Sequence, residues 1–372
     1  MTDRLYLDYN ATAKIRPEVI EALAGAMATV GNASSVHGAG RDARKAVEDA
    51  RRKLATLLGA SPNQVVFTSG GTEADNQVMH MCDPARTFVS AVEHPAILDA
   101  CPGAHRVPVD ADGVIDLAAL DALMTEVTAP QLVALMLANN ETGVIQPVAE
   151  AAEIAHRHGA LLHCDAVQAV GKMPVDFTAL GADTMAMTGH KFGGPQGVGA
   201  LVIRTPDTVD CLMRGGGQES GLRGGTESVA HITALGVAAE IAMERMDGYA
   251  ALADIRDRME ARLIQSTPGM QIFGGGAARL PNTSKLMMPG VSSETQVMSF
   301  DLAGIELSAG SACSAGRIEP PYVLTAMGVP DSDALCALRV SLGWDTTEAD
   351  IDRFIAEWGK IFERASNAQA TE

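Results

Sequence analysis

The chain has 372 residues, and its 28 basic and 46 acidic side chains give a formal net charge of −18. That balance repels nucleic acid phosphates and anionic lipid, and excludes both as general partners. Hydrophobic residues make up 47% and aromatic residues only 4%, an Ala-rich α/β composition long enough for two domains.

The N-terminal "MTDRLYLDYNATAKIRP" has no apolar core of signal-peptide length, and no later stretch approaches the roughly 20 apolar residues of a membrane span. A cytoplasmic location is therefore expected, where thiols stay reduced. The most basic segment, "RDARKAVEDARRK" at 41–53, interleaves Asp42, Glu48 and Asp49 and reads as the solvated face of a helix. Buried strands are expected in turn at "VVFTSG", "RTFVSA", "LVALML", "ALLHCDA", "TMAMTG" and "VGALVIR", with amphipathic stretches such as "PVAEAAEIAHRHG" between them. This alternation predicts a mainly parallel sheet covered by helices on both faces. After about residue 246 the pattern changes. A helix over "YAALADIRDRMEARLIQS" leads to short strands at "QIFGG", "SKLMM" and "LRVSLG", then to a final helix capped by Thr346 or Thr347. The expected division is a large domain over 15–247, with 1–14 and 248–372 forming a smaller α+β domain.

Chemistry-bearing residues gather where predicted strands end. "VVFTSGGTEADN" runs from a strand into Ser69-Gly70-Gly71-Thr72 and then a helix, an arrangement whose free N–H groups suit a phosphate. Asp165 in "HCDAVQAVGK" closes another strand, where a carboxylate needs a cation or several donors. Lys191 follows Thr188 and His190 in "MTGHKFGGPQG"; His94 in "AVEHPAI" and Asn139 and Asn140 in "LANNETG" occupy similar positions. Singly, each of these has an ordinary structural explanation: a turn, a helix cap, an ion pair or a surface lysine. Together they supply an amine, a carboxylate, phosphate donors and a ring to stack, the set a pyridoxal phosphate enzyme needs.

At this point the sequence resembles the cysteine desulfurases of the NifS/IscS-like branch, within the fold-type-I, class-V aminotransferase-like enzymes. The motifs "TSGGTEADN", "EHPAIL", "NNETG", "DAVQAVGK", "GHKFGGPQG", "GGGQESGLRGGTES" and "SAGSACS" stand in family order along nearly the whole chain. The resemblance implies a large domain with a mainly parallel seven-stranded sheet, a smaller α+β domain, and pyridoxal 5'-phosphate as cofactor, with Lys191 as the Schiff-base lysine. Asp165 would face the pyridine nitrogen, Gln168 and Asn140 would lie near the phenolic oxygen, and His94 would stack on the ring and move protons. Gly71, Thr72, Thr188 and His190 would hold the phosphate, joined by Thr226 from the second subunit of a homodimer. Arg339 would clamp the carboxylate of L-cysteine, with Asn32 and His37 near the substrate. Cys313, in a loop at about 306–320, would take the sulfur as a persulfide and hand it to an acceptor protein, leaving alanine. No metal is implied.

The setting of Cys313 fits that role: "ELSAGSACSAGR" is built of Gly, Ser and Ala, which let a backbone swing without steric cost. Cys82, Cys101, Cys164, Cys211 and Cys336 lie in apolar or helical surroundings and are expected to be inert. Gly71 stands where the family commonly has Ala, and Ala33 where it commonly has Pro. A selenocysteine lyase or an aminotransferase of the same fold, or a non-enzymatic sulfur carrier, are the competing readings. A zinc site on His156 and His158 is disfavoured, because residues two apart on a helix do not share a face.

Overall fold

The computed structural model describes residues 4–309 and 319–369. A short strand, β1 (Leu5–Tyr6), precedes β2 (Val65–Thr68), β3 (Thr87–Ser90), β4 (His105–Val107) and β5 (Leu132–Ala134). They are followed by β6 (Leu161–Asp165), β7 (Thr184–Thr188) and β8 (Gly199–Ile203). The last seven form one sheet in the order β2-β8-β7-β6-β5-β3-β4. Only β8 is antiparallel to its neighbours, β2 and β7; the other pairs are parallel. Consequently β2, β3, β5, β6 and β7 all deliver their carboxyl ends to one edge, where ligands bind in open α/β sheets.

Every residue of β2, β3, β5, β7 and β8 is buried. These strands are therefore buried at every position instead of at alternate ones, as a sheet covered on both faces requires, with polar residues only at their ends. The covering helices pack tightly through small residues. A Cβ on Gly236, in the helix Val229–Glu244, would lie 2.8 Å from both Cα and Cβ of Ala50 in the helix Gly38–Leu57.

The remaining strands are β9 (Gln271–Phe273), β10 (Thr283–Met287), β11 (Ile305–Glu306) and β12 (Ala337–Ser341). An antiparallel sheet is ordered β12-β10-β9, and β1 pairs parallel with β11. Leu286, Leu338, Val340, Phe300, Phe354 and Trp358 make a separate core, to which Leu5 and Leu7 contribute from the N-terminal segment. The helix expected over 249–266 is divided at Ala251 into Met246–Ala250 and Leu252–Ser266. The final helix, Glu348–Gln369, is capped by Thr347: its Oγ1 accepts the Asp350 N–H at 3.3 Å, and Asp350 Oδ2 accepts the Thr347 N–H at 2.8 Å.

One stretch joins the two sheets. Tyr9 N–H donates to the Ser341 carbonyl at 3.2 Å and Ser341 N–H to the Leu7 carbonyl at 2.8 Å, stitching residues 7–9 to β12. The chain then delivers Asn10 and Ala11 to the carboxyl edge of the large sheet, where both line a cavity.

Candidate active site

That cavity, about 370 Å³, is lined by residues following five strands of the large sheet, closed by Asn10 and Ala11 on one side and Arg339 of β12 on another. Its size is that of a small-molecule site. Gly71 and Thr72 come from the start of the helix Gly71–Met79, which follows β2 and has no side-chain cap, so its first N–H groups are available to an anion. Gly71 is as large as the space allows, because a Cβ there would stand 2.5 Å from Val167 Cγ2. Thr188 and His190 follow β7 on the same side. His190 Nδ1 lies 3.2 Å from Thr12 Oγ1. Burial, then the Lys191 and Lys172 amines, push His190 down to about 4, so its ring is neutral.

Lys191 Nζ donates to the backbone carbonyls of Asn10 at 2.7 Å and Ala11 at 2.9 Å. Burial and the Arg339 guanidinium lower its amine to about 8, while Asp165 and Asp8 offset part of the effect. About a tenth of the amine is thus free base at pH 7, and more than half above about pH 8. Asp165 closes β6; its Oδ1 accepts the Val167 N–H at 2.9 Å. Burial and Asp75 push its carboxyl up to about 7, against the opposing influence of the Val167 N–H, His94 and His163. His94 Nδ1 accepts the Ala96 N–H at 3.1 Å, which leaves the proton of the neutral ring on Nε2. Burial lowers its basicity, with Asp165 opposing and Lys191 reinforcing.

Arg339 donates from Nη2 to Asp8 Oδ1 at 2.7 Å and from Nη1 to the Asn140 carbonyl at 3.1 Å. Among the described residues, its Nε and the Oδ1 of Asn140 are buried without a hydrogen-bond partner. Asn139 does not face the cavity. Its Oδ1 accepts the N–H groups of Glu141 and Thr142 and its Nδ2 donates to the Val92 carbonyl, shaping the turn that presents Asn140. Gln168 donates from Nε2 to the Asn10 carbonyl at 3.0 Å and accepts at Oε1 from Lys172 Nζ at 2.6 Å.

Four polar residues beyond those expected from sequence, among the described residues, belong to the site or stand behind it. Asn10 and Asp75 line the cavity. Lys172 stands behind Gln168. His163 lies 3.1 Å through Nε2 from Asp75 Oδ1 and 2.9 Å through Nδ1 from Thr184 Oγ1. Burial pushes the Asp75 carboxyl up to about 8 and lowers His163 to about 4. His163 and Asp165 are two apart on β6 and so share a face; that period-two spacing was the available signal.

Other sequence-identified residues stand apart from the cavity of this chain. Asn32 Oδ1 accepts the Ser34 N–H at 2.9 Å, and His37 Nδ1 accepts the Gly40 N–H at 3.3 Å, capping the helix Gly38–Leu57; both residues are exposed. Thr226 lines a different cavity, of about 140 Å³, with Ser69, Gly197 and Arg223. Cys313 lies outside the described residues. Of the other cysteines, burial raises the thiols of Cys82, to about 12, and of Cys101, Cys164 and Cys336, making them poor nucleophiles near neutrality. His156 and His158 face different carboxylates, Asp183 at 2.9 Å and Asp121 at 2.7 Å.

The aminotransferase class-V family model matches residues 5–354. A cysteine desulfurase of Cereibacter sphaeroides is 43% identical over 95% of this chain and 94% of its own. An IscS-like cysteine desulfurase of Mycobacterium tuberculosis is 41% identical over 93% of each. The chain belongs to the class-V aminotransferase family, among its cysteine desulfurases. A NifS-like protein from Rickettsia africae has the same fold, with a TM-score of 0.90 and 34% identity over 97% of this chain and all of that one. Enzymes of this family use pyridoxal 5'-phosphate, and the cavity of this family member fits such a group. Asp165 is a buried carboxylate that needs a cation, the uncapped helix at Gly71 needs an anion, and Asn140 Oδ1 and Arg339 Nε lack partners.

Proposed function

We propose that this chain is a cysteine desulfurase: it binds pyridoxal 5'-phosphate, converts L-cysteine to L-alanine, and passes the sulfur through Cys313 to an acceptor protein. The carrying observation is the convergence, in one cavity, of a lysine amine lowered to about 8, a buried carboxyl raised to about 7 and a guanidinium whose buried Nε has no partner among the described residues. The family relationship supplies the reaction class. The proposed working form is a cytoplasmic homodimer in which Thr226 of one subunit completes the phosphate site of the other. Its proposed division is a large domain over 15–247 and a small domain of 1–14 with 248–372. Among the described residues, no helix is long and apolar enough to cross a membrane.

The cofactor, when bound, supplies an aldehyde that condenses with amines and a ring that withdraws electrons from the substrate's Cα. The residues of the chain hold and steer. Gly71, Thr72, Thr188 and His190 would bind the phosphate, Asp165 would keep the ring nitrogen protonated, and His94 would cover one face. The Asn140 and Gln168 side chains would address the phenolic oxygen. Arg339 would take the substrate carboxylate, a charge-assisted and bidentate contact that uses its unpartnered Nε. Lys191 Nζ, largely free base above its pKa of about 8, would accept the Cα proton. The Cys313 thiolate would attack the substrate Sγ, so that the Cβ–Sγ bond breaks as the new S–S bond forms. The thiol and cysteine together become a persulfide and alanine, with no external oxidant or reductant.

The test is direct. Purified protein supplied with pyridoxal 5'-phosphate should show a yellow band that borohydride abolishes, and should release alanine from cysteine. Cys313→Ala should keep the band and lose sulfur transfer. An unchanged rate in that variant would remove Cys313 from the mechanism, whereas selenocysteine turnover alone would make the enzyme a lyase for that amino acid. The absence of any band in wild type would sink the cofactor assignment.

A further inference from the structure

Lys172 is a lysine that the reaction does not obviously require. Its residue is 1% exposed, yet among the described residues no carboxylate pairs with it; Nζ donates to Gln168 Oε1 at 2.6 Å and Asn10 Oδ1 at 2.8 Å, both neutral amide oxygens. A buried ammonium without an anion is costly, and burial, Lys191 and Arg339 all lower this amine well below the usual lysine range. Such a group persists where its donors organise something else.

What it organises is the ledge under Lys191. A lysine amine in this position donates, so Gln168 and Asn10 must each turn their oxygen towards it, which fixes both amide orientations. Gln168 then has its Nε2 free to donate to the Asn10 backbone carbonyl at 3.0 Å, the same carbonyl that holds Lys191 Nζ at 2.7 Å. Asn10 uses every polar atom. Its Oδ1 also accepts from Asn282 Nδ2 at 3.1 Å, Nδ2 donates to Thr283 Oγ1 at 2.9 Å and the Asn140 carbonyl at 3.2 Å, and the backbone N–H donates to Ser341 Oγ at 3.0 Å. Lys172 thus braces a residue bonded at once to β10, to β12, to the turn bearing Asn140 and to the reactive lysine.

We propose that Lys172 is a positioning residue: through Gln168 and Asn10 it holds the carbonyl against which the Lys191 amine rests, and orients the Gln168 amide towards the cofactor side of the cavity. This rests on the reading of Lys191 as the cofactor-binding lysine. Without the brace, Gln168 stops donating to the Asn10 carbonyl, which becomes a stronger acceptor for a protonated Lys191. The other groups acting on Lys191 are Arg339, Asp165 and Asp8; Lys191 in turn lowers the basicity of His94 and, together with Lys172, of His190. None of them is removed by changing Lys172.

The experiment measures the pH midpoint of Lys191 acetylation by trace acetic anhydride in the apoprotein, read by mass spectrometry, and separately the borohydride-trapped adduct with pyridoxal 5'-phosphate. Lys172→Met should raise the midpoint by about half a unit or more, roughly a threefold loss of free amine near neutral pH. Gln168→Met, which keeps the Lys172 amine, should raise it as well. An unmoved midpoint in Lys172→Met overturns the proposal, because a purely structural lysine would lower thermal stability and leave Lys191 alone. A shift in Lys172→Met without one in Gln168→Met also overturns it, since the effect would then be direct charge and not the brace. Should Lys172→Met fail to fold, Lys172→Gln, which keeps an N–H donor for one acceptor, is held to the same criterion with a smaller rise. No adduct on Lys191 in wild type would instead defeat the functional reading.

Discussion

Gly71→Ala tests how the proposed phosphate end of the site is built. Ala is the residue the family resemblance leads one to expect there, and its Cβ would lie 2.5 Å from Val167 Cγ2. Its next neighbours, Val167 Cβ at 3.8 Å and Thr188 Cβ at 3.9 Å, are at ordinary contact distance, so one methyl group creates the conflict. About 1 Å of movement is needed to restore a normal contact. Val167 is half-buried and can turn about χ1, but a β-branched side chain has one strongly preferred rotamer, and leaving it costs about 0.5–1.5 kcal/mol. Against that, replacing Gly by Ala in a helix gains up to about 1 kcal/mol. The two effects nearly cancel in the single variant. Val167→Ala removes the obstructing methyl, so Gly71→Ala should be stabilising in that background. The coupling energy between the two changes should favour the double variant by about 1 kcal/mol. Urea denaturation of wild type, both singles and the double supplies the four numbers. Since Val167 also lines the cavity, the Gly71→Ala single variant should bind pyridoxal 5'-phosphate several-fold more weakly and the double should recover. Additivity within about 0.3 kcal/mol would show that Val167 does not occupy the space of the missing methyl.

Asp165→Asn should change how apoprotein stability depends on pH. The Asp165 carboxyl rises from its ordinary 3.8 to about 7 in the folded chain, so the folded state holds this proton more tightly than the unfolded state does. Its contribution is full below about pH 4 and is lost as pH rises through about 7; the variant should flatten that fall, and an unchanged slope in pH-dependent denaturation would contradict the raised carboxyl. Lys285 and Glu141 form a fully buried ion pair at 2.9 Å, and the same Nζ donates to the Ala309 carbonyl at 2.9 Å. Lys285→Met should cost about 3–5 kcal/mol in chemical denaturation by stranding Glu141, while Lys285→Met with Glu141→Leu should recover most of it. A double variant no better than the single would show that the stranded charge is not the cause.

Much of the site was legible because strand ends are legible. His94, Asn140, Asp165 and Lys191 each follow an apolar run, and a parallel sheet must bring such positions to one edge. His163 was hidden by its setting: inside an apolar strand a histidine reads as core, and its pairing with Asp75 spans 88 residues of sequence. Asn10 and Lys172 carry no periodic signal at all. Their meaning lies in hydrogen bonds to residues on other elements, and side-chain amides acquire an orientation only from such partners. Asn32 and His37 show the opposite case, residues of a recognised motif whose visible contacts within one chain are a turn and a helix cap.

By itself the sequence determined the layers, the change of pattern after about residue 246, the capped final helix and the reaction class, since apolar runs, caps and collinear motifs are local or ordered along the chain. Only the tertiary structure decided that residues 7–11 link β12 to the large sheet, that Val167 fills the space beside Gly71, and that the Asn10 carbonyl accepts from the Lys191 amine. Those outcomes depend on which atoms remain within about 3 Å once distant segments have packed, and that distance is a property of the fold, not of the order of residues.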